Sequence, residues 1–128
     1  MKRILLSIQN QLLSEAISAA LTRTGDFRPE QVLTDRIQDT AYICRVLQAE
    51  ILLMDVASSP SASMEQRMTT GRQVRGELPE CKIVLLCDEN ADPTVARQVK
   101  EAKQLKQIDA FFYASVTTAY LTAALDAL

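Results

Sequence analysis

The sequence feature that most constrains the fold is a pair of short, uninterrupted apolar runs that each end in acid. Residues 51–54 (ILLM) lead into Asp55, and residues 81–87 (CKIVLLC) lead into Asp88 and Glu89. An apolar run without alternation is typical of a strand covered on both faces, as in a parallel sheet with helices on each side. A carboxylate at the carboxyl end of such a strand lies where open α/β sheets keep their ligand crevice. The pattern therefore predicts a parallel α/β sheet with a site near Asp55.

The rest of the chain alternates predicted strands with predicted helices. Segment 25–30 (GDFRPE) breaks the pattern, so the second strand is predicted to be short and to follow it. The predicted strands are 3–8, 31–33, 51–55, 81–87 and 108–113. The first helix is predicted to begin after Asn10, and Thr34 or Asp35 is predicted to cap the second. The other three are predicted to begin at Met64, at Pro93 and after Ser115. The apolar side of the fourth helix is predicted to be Val95, Val99, Ala102 and Leu105. Five strands alternating with five helices predict one domain, 1–128, with a doubly wound parallel sheet.

The chain contains no histidine. This absence removes histidine-assisted nucleophiles, the commonest general base and most zinc and haem ligation. Three scattered cysteines, Cys44, Cys81 and Cys87, do not replace them. We therefore expect a protein that is not an enzyme and that holds no cofactor.

Charge and apolar length argue against nucleic acid and membrane partners. The formal net charge of −2 gives no basic footprint for nucleic acid. The apolar start of the chain is too short for a signal peptide, and no run approaches transmembrane length. An odd number of cysteines in apolar segments fits reduced, buried thiols, so a cytoplasmic location is expected.

The order of elements and four local stretches resemble the receiver domain of bacterial response regulators, the CheY-like family. The stretches are RILLSIQNQLLSEAI (3–17), AEILLMDV (49–56), KIVLLC (82–87) and FFYASVTTAYLTAAL (111–125). The resemblance implies a flavodoxin-like (βα)5 fold with strand order 2-1-3-4-5. It also implies a signalling module of a two-component system, in which a histidine kinase phosphorylates an aspartate.

Placed on the family pattern, Asp55 is at the phosphoacceptor position. The acidic pair that helps such domains hold Mg²⁺ corresponds to Ile8 and Gln9, so both charges are missing. Mg²⁺ prefers carboxylate oxygens in near-octahedral geometry. Magnesium binding is therefore not expected, although Asp88 and Glu89 are conceivable substitute ligands. Adjacent carboxylates on a loop are more often simply solvated.

The phosphoryl-contacting positions of the family are altered as well. Cys87 stands at the Thr or Ser position, and Ala114 stands at the Lys position. A thiol donates hydrogen bonds weakly, and phosphoryl transfer depends on nearby positive charge. Phe111 lies at the position of the family's aromatic switch residue. The resemblance thus implies a degenerate receiver, a pseudo-receiver, whose Asp55 is a structural remnant or retains residual phosphorylation.

Three hypotheses follow. The first is a receiver-like module that acts by protein–protein contact or dimerisation in transcription regulation. The second is a conventional phosphoacceptor that a histidine kinase phosphorylates on Asp55. The third is a small-molecule binder of flavodoxin-like fold, which the absence of glycine in residues 8–13 (IQNQLL) disfavours.

The expected partners are proteins: a histidine kinase, an effector domain or a second copy of the chain. Receivers commonly dimerise through helix four, strand five and helix five. In this chain the fourth helix carries a basic stripe, although such stripes are usually just solvated. The candidate interaction face consists of Lys100, Lys103, Tyr113 and Tyr120.

Overall fold

All residues, 1–128, are described by the computed structural model. Five strands form a single sheet in the order β2-β1-β3-β4-β5, and every neighbouring pair is parallel. The strands are β1 (Lys2–Ser7), β2 (Phe27–Gln31), β3 (Ile51–Asp55), β4 (Lys82–Cys87) and β5 (Ala110–Tyr113). The doubly wound, flavodoxin-like α/β architecture and the strand order expected from the sequence are confirmed.

Four α-helices connect the five strands and a fifth follows β5, and local capping explains where several of them begin and end. The helices are α1 (Gln11–Thr24), α2 (Thr40–Leu47), α3 (Met64–Glu77), α4 (Pro93–Gln104) and α5 (Thr118–Asp126). Asn10 caps α1 by accepting from the Leu13 N–H, and Ser63 caps α3 by accepting from the Gln66 N–H. Gly25 ends α1 in the left-handed conformation, with φ 77°. None of the helices is long and apolar enough to cross a membrane.

The helices cover both faces of the sheet, so β3, at its centre, is buried along all its residues. One apolar cluster joins the sheet to α2, α3 and α4 through residues such as Cys44, Val74 and Val99. A second cluster joins the opposite face to α1 and α5 through residues such as Ile17 and Leu121. This two-sided burial is the physical reason that β3 and β4 are almost uniformly apolar.

Three local predictions are wrong. The second strand spans Phe27–Gln31 rather than 31–33. Its Pro29 pairs in register with Ile4, which is tolerated because β2 is an edge strand. Neither Thr34 nor Asp35 caps the second helix, because a 3₁₀-helix spans Thr34–Asp39 and α2 begins only at Thr40. Leu105 is the residue directly after α4, and it is 69 % exposed instead of lying in the core.

Candidate functional site

Asp55 ends β3 at the carboxyl edge of the sheet, between β1 and β4. Its side chain is only 13 % exposed. One carboxylate oxygen, Oδ2, accepts a hydrogen bond of 3.1 Å from the backbone N–H of Gln9, just beyond β1. The other oxygen, Oδ1, faces a cation contributed by the protein itself. The carboxylate is therefore engaged on both oxygens.

That cation is the guanidinium of Arg67, on the first turns of α3. The Arg67 side chain is 1 % exposed, and its Nη2 lies 2.8 Å from Asp55 Oδ1. Nε donates to the Asp55 backbone carbonyl at 2.7 Å, and Nη2 also donates to the Ser7 carbonyl at 2.6 Å. A planar guanidinium presents its donors in a fixed fork, which suits this set of acceptors. Arg67 thus ties the end of β3 to the end of β1.

A short chain of hydroxyl groups extends the network to α2. Arg67 Nη1 donates to Ser7 Oγ at 3.0 Å, and Ser7 Oγ lies 2.6 Å from Thr40 Oγ1. The Thr40 hydroxyl donates its proton to the Ile37 carbonyl. Because a hydroxyl has one proton, Ser7 must be the donor to Thr40. No buried side-chain nitrogen or oxygen lacks a partner in the chain, so the network is closed.

Burial and ion pairing have opposite effects on the pKa of Arg67. Burial lowers the pKa of Arg67, and the hydrogen bond and charge of Asp55 oppose that shift. A guanidinium nevertheless stays protonated in proteins. The first turns of a helix disfavour a cation because of the helix dipole. Asp55 supplies the compensating charge, so the two residues neutralise each other inside the fold.

The two positions that correspond to the family's acidic pair lie differently. Ile8 is fully buried in the apolar cluster on the α1 and α5 face. Gln9 is at the site, where its backbone binds Asp55 and its side-chain Oε1 accepts from Ser59 at 2.8 Å. Gln9 therefore links the Asp55 site to the loop after β3.

The remaining predicted positions lie around the ends of β4 and β5. Cys87 ends β4 and is buried, and burial followed by the charges of Glu89 and Asp88 raises its pKa to about 11. Ala114, directly after β5, is exposed and donates its N–H to the Cys87 carbonyl. Phe111 is half-buried and makes an edge-to-face contact with Tyr113 at 5.6 Å. None of these side chains contributes a cation.

The donor set does not fit Mg²⁺, the ion that the fold family implies. The position beside Asp55 Oδ1 holds a guanidinium, and Asp55 is the single carboxylate in the network. Asp88 is exposed and accepts from the backbone N–H groups of Asn90 and Ala91, so it closes its own turn. No group of three metal-ligating side chains occurs in the chain. A hard divalent cation needs several oxygen ligands, which these residues do not provide.

The sequence reasoning missed Arg67, although the sequence contained a signal. Arg67 lies three residues after Met64, four before Gly71 and seven before Val74, on the apolar side of α3. An arginine on the inner stripe of a helix needs a buried anion, because a buried charge is rarely left unpaired. Asp55, at the end of the preceding strand, is the carboxylate within reach.

The four residues of the predicted interaction face lie at the surface. Lys100 and Lys103 are exposed on α4, and Tyr113 and Tyr120 are 38 % and 63 % exposed. A shallow groove of about 310 Å³ runs between β5 and α5 beside the two tyrosines. The ring of Phe112 packs edge to face against the ring of Tyr120, with the two ring centroids 6.3 Å apart.

The sheet order and the helix placement are those of the receiver fold, and solved structures share this fold along nearly the whole chain. The chain is similar to a DNA-binding response regulator of the LuxR family from Staphylococcus aureus (TM-score 0.78, 13 % identity, 99 % of this chain and 98 % of that chain). It is similar to the inactive form of the regulatory domain of the repressor of iron transport regulator, RitR (TM-score 0.74, 19 % identity, 99 % of this chain and 94 % of that chain). It is also similar to the Vibrio cholerae chemotaxis protein CheY4 (TM-score 0.74, 13 % identity, 99 % of this chain and 98 % of that chain). No protein-family model and no curated protein matches the sequence.

Proposed function

We propose that this protein is a receiver-like signalling module of a two-component response regulator, not an enzyme, that acts by protein–protein contact without phosphorylation of Asp55. The Arg67–Asp55 ion pair is the observation that carries the proposal. Arg67 supplies inside the fold the positive charge that a receiver takes from a divalent cation. Because this positive charge belongs to the chain, the Asp55 carboxylate is neutralised in the same way with or without metal and phosphodonor.

The chemistry of the site supports the same conclusion. Phosphoryl transfer to a carboxylate depends on positioning and on cations that stabilise the transferring group. Here Asp55 Oδ1 and Oδ2 are both hydrogen-bonded, and the assigned Arg67 bonds all go to protein oxygens. Ala114 provides no charge at the position of the family lysine. An attack by Asp55 would require the breaking of a buried ion pair without a metal ion to replace it.

A role in transcription regulation is supported by what two similar proteins are: a DNA-binding response regulator and the regulatory domain of a repressor. Within this proposal the domain itself contacts proteins rather than nucleic acid or membrane, and it works in the cytoplasm. The partner is an effector domain or a second copy of the chain. Exposed Tyr113 and Tyr120, beside Lys100 and Lys103, are the proposed contact face, because exposed aromatic side chains are enriched at interfaces.

The experiment that tests the proposal is intact-mass analysis after incubation with Mg²⁺ and a small acyl phosphate. We expect no phosphoryl adduct on the wild-type protein, and none on Asp55→Asn. Titration calorimetry should show no binding of Mg²⁺ in the millimolar range. A single adduct that is present in the wild type and absent from Asp55→Asn would refute the proposal.

The second candidate function is a conventional phosphoacceptor receiver, phosphorylated on Asp55 by a histidine kinase. The observation that favours it is the retained aspartate at the end of β3, with its side chain still 13 % exposed. In this case Arg67 would have to leave its pocket when phosphodonor and metal bind. Labelling that becomes stronger in Arg67→Met than in the wild type would show that the guanidinium competes with that reaction.

A further inference from the structure

Two arginines lie side by side near the amino ends of β1 and β2, at the edge of the sheet opposite Asp55. Arg3 and Arg28 are direct partners in the parallel ladder, so their side chains leave the same face of the sheet. That face is the one on which Leu5 packs in the cluster with α2, α3 and α4. Like charges directly opposite each other destabilise a sheet. The chain does not compensate them, because neither guanidinium forms an ion pair with a carboxylate.

A cavity opens beside this arginine pair, between β2 and the last turn of α2. Its volume is about 300 Å³, which is at the lower end of the range for small-molecule pockets. Its lining is mostly apolar and includes Leu5, Val46 and Leu47. The charged side chains of the lining are those of Arg3, Arg28 and Glu30. An apolar wall with a few charged groups is the usual composition of a ligand site.

The sequence explains why this part of the sheet is not covered by a helix. On this face β2 carries Arg28 and Glu30, where a covered strand would carry apolar side chains, so α2 has no apolar surface of β2 to pack against. A 3₁₀-helix spans Thr34–Asp39, which leaves only eight residues, Thr40–Leu47, for α2. The cavity therefore follows from the charged face of β2 and from the short length of α2.

The charges around the cavity favour a ligand with a single negative charge. Arg3 Nε donates to the Gln48 carbonyl at 3.0 Å, which orients the guanidinium and offsets the partial negative charge at the end of α2. Glu50 bonds to the Arg3 backbone N–H rather than to the guanidinium, and Glu30 pairs with neither arginine. Two guanidiniums and the Glu30 carboxylate leave one net positive charge at the cavity. This charge complements a carboxylate better than a dianionic phosphate.

We propose that this cavity, the Arg3–Arg28 pocket, binds a small monocarboxylate with an apolar tail. The carboxylate lies between the two guanidiniums, whose planar forks match its geometry and whose mutual repulsion it removes. The tail lies against Leu5, Val46 and Leu47. Binding gives the domain a small-molecule input at the amino edge of the sheet. This inference is independent of the function proposed above, because it uses neither Asp55 nor the contact face.

The test is a titration of the full chain with sodium hexanoate, followed by the backbone amide signals in two-dimensional NMR spectra. We expect saturable shifts that are largest at residues 3–5, 28–30 and 46–49, with a dissociation constant on the order of 1 mM. Acetate lacks the apolar tail, and 1-hexanol lacks the charge. Each should bind at least about tenfold more weakly than hexanoate.

Variants of the charged residues separate specific from adventitious binding. Arg28→Gln should weaken hexanoate binding about tenfold, because a charge-assisted hydrogen bond is lost. Arg72→Gln is the matched control, since Arg72 is also exposed but lies on α3, and it should bind hexanoate like the wild type. Glu30→Gln should strengthen binding about threefold, because a repelling carboxylate is removed. Val46→Asp places a negative charge in the apolar wall and should abolish saturable binding.

The proposal fails if no saturable shift appears up to about ten times the expected dissociation constant. It fails equally if acetate or 1-hexanol binds as tightly as hexanoate, if Arg28→Gln or Val46→Asp binds like the wild type, or if Glu30→Gln weakens binding. Shifts centred on the groove beside Tyr113 and Tyr120 would also contradict it. Should Arg28→Gln not fold, Val46→Asp decides, because Val46 is 60 % exposed and takes no part in strand pairing.

Discussion

Replacing Arg67 by Met tests whether the ion pair holds the functional edge of the sheet together. Methionine keeps much of the apolar length of the side chain but removes the guanidinium. The substitution leaves the Asp55 carboxylate, 13 % exposed, with only its bond to Gln9 N–H. It also removes the donors to the Ser7 carbonyl, Ser7 Oγ and the Asp55 carbonyl. The result is a nearly buried charge without its counter-ion.

The expected cost is set by that uncompensated charge rather than by the number of bonds. Removal of one partner of a buried ion pair typically costs about 3–5 kcal/mol. Urea unfolding of a small domain has a slope of about 1–3 kcal/mol per molar. The urea midpoint, followed by far-UV circular dichroism, should therefore fall by roughly 2 M. Arg72→Met on the same helix is the matched control, because Arg72 is exposed and bonds only to Thr69; its midpoint should scarcely change.

A double-mutant cycle separates pairing from burial. Asp55→Leu combined with Arg67→Met removes both charges, so the double variant should lose much less stability than the sum of the single losses. A coupling of about 2–3 kcal/mol is expected for residues in direct contact. A wild-type-like midpoint for Arg67→Met, or additive single losses, would refute the argument that the buried pair organises this edge.

Further predictions concern individual groups and the metal. Asn10→Ala should lower the free energy of unfolding by about 1 kcal/mol in urea titrations, while Asn10→Asp, which can still accept from the Leu13 N–H, should not. Ser7→Ala should cost about 1–3 kcal/mol, because a buried Arg67 N–H loses its acceptor; a loss under 0.5 kcal/mol would contradict the network. Burial raises the pKa of Cys87 from 9.0 to about 11, so at pH 10 the folded chain holds a proton that the unfolded chain has released. Stability is then fully present below pH 9 and falls by about 2–3 kcal/mol towards pH 11, a slope that Cys87→Ala should remove. Thermal unfolding should be the same in Mg²⁺ and in a chelator; stabilisation by Mg²⁺ would show a site that the donor set does not explain.

Arg67 differs physically from the divalent cation that an active receiver recruits. A guanidinium carries one charge, cannot be exchanged with solvent and holds its donors in one plane. It therefore neutralises Asp55 at every metal concentration, and it anchors β1, β3 and α3 at the same time. An exchangeable ion lets a site respond to a second signal, whereas a built-in cation gives a constant state. Under the proposed function, regulation of this domain acts on its contacts with partner proteins.

The sequence alone predicted most of the architecture because each signal was local. Uninterrupted apolar runs indicated the buried strands, and Asn10 and Gly25 indicated the bounds of α1. The edge strand β2 was misplaced because its residues alternate in burial around Pro29, which resembles a turn when the neighbouring strand is unknown. Leu105 was misassigned because helical spacing continues one residue beyond the point where α4 ends.

The sequence by itself determined the fold class and the location of Asp55 at a strand end. Only the tertiary structure decided that Arg67 pairs with Asp55. Parallel crossovers bring the ends of β1 and β3 and the start of α3 to one edge, so that Arg67 meets Asp55 and Ser7 across long separations in the chain. Such pairs depend on how the helices pack over the sheet, and the spacing of residues along the chain does not specify that packing.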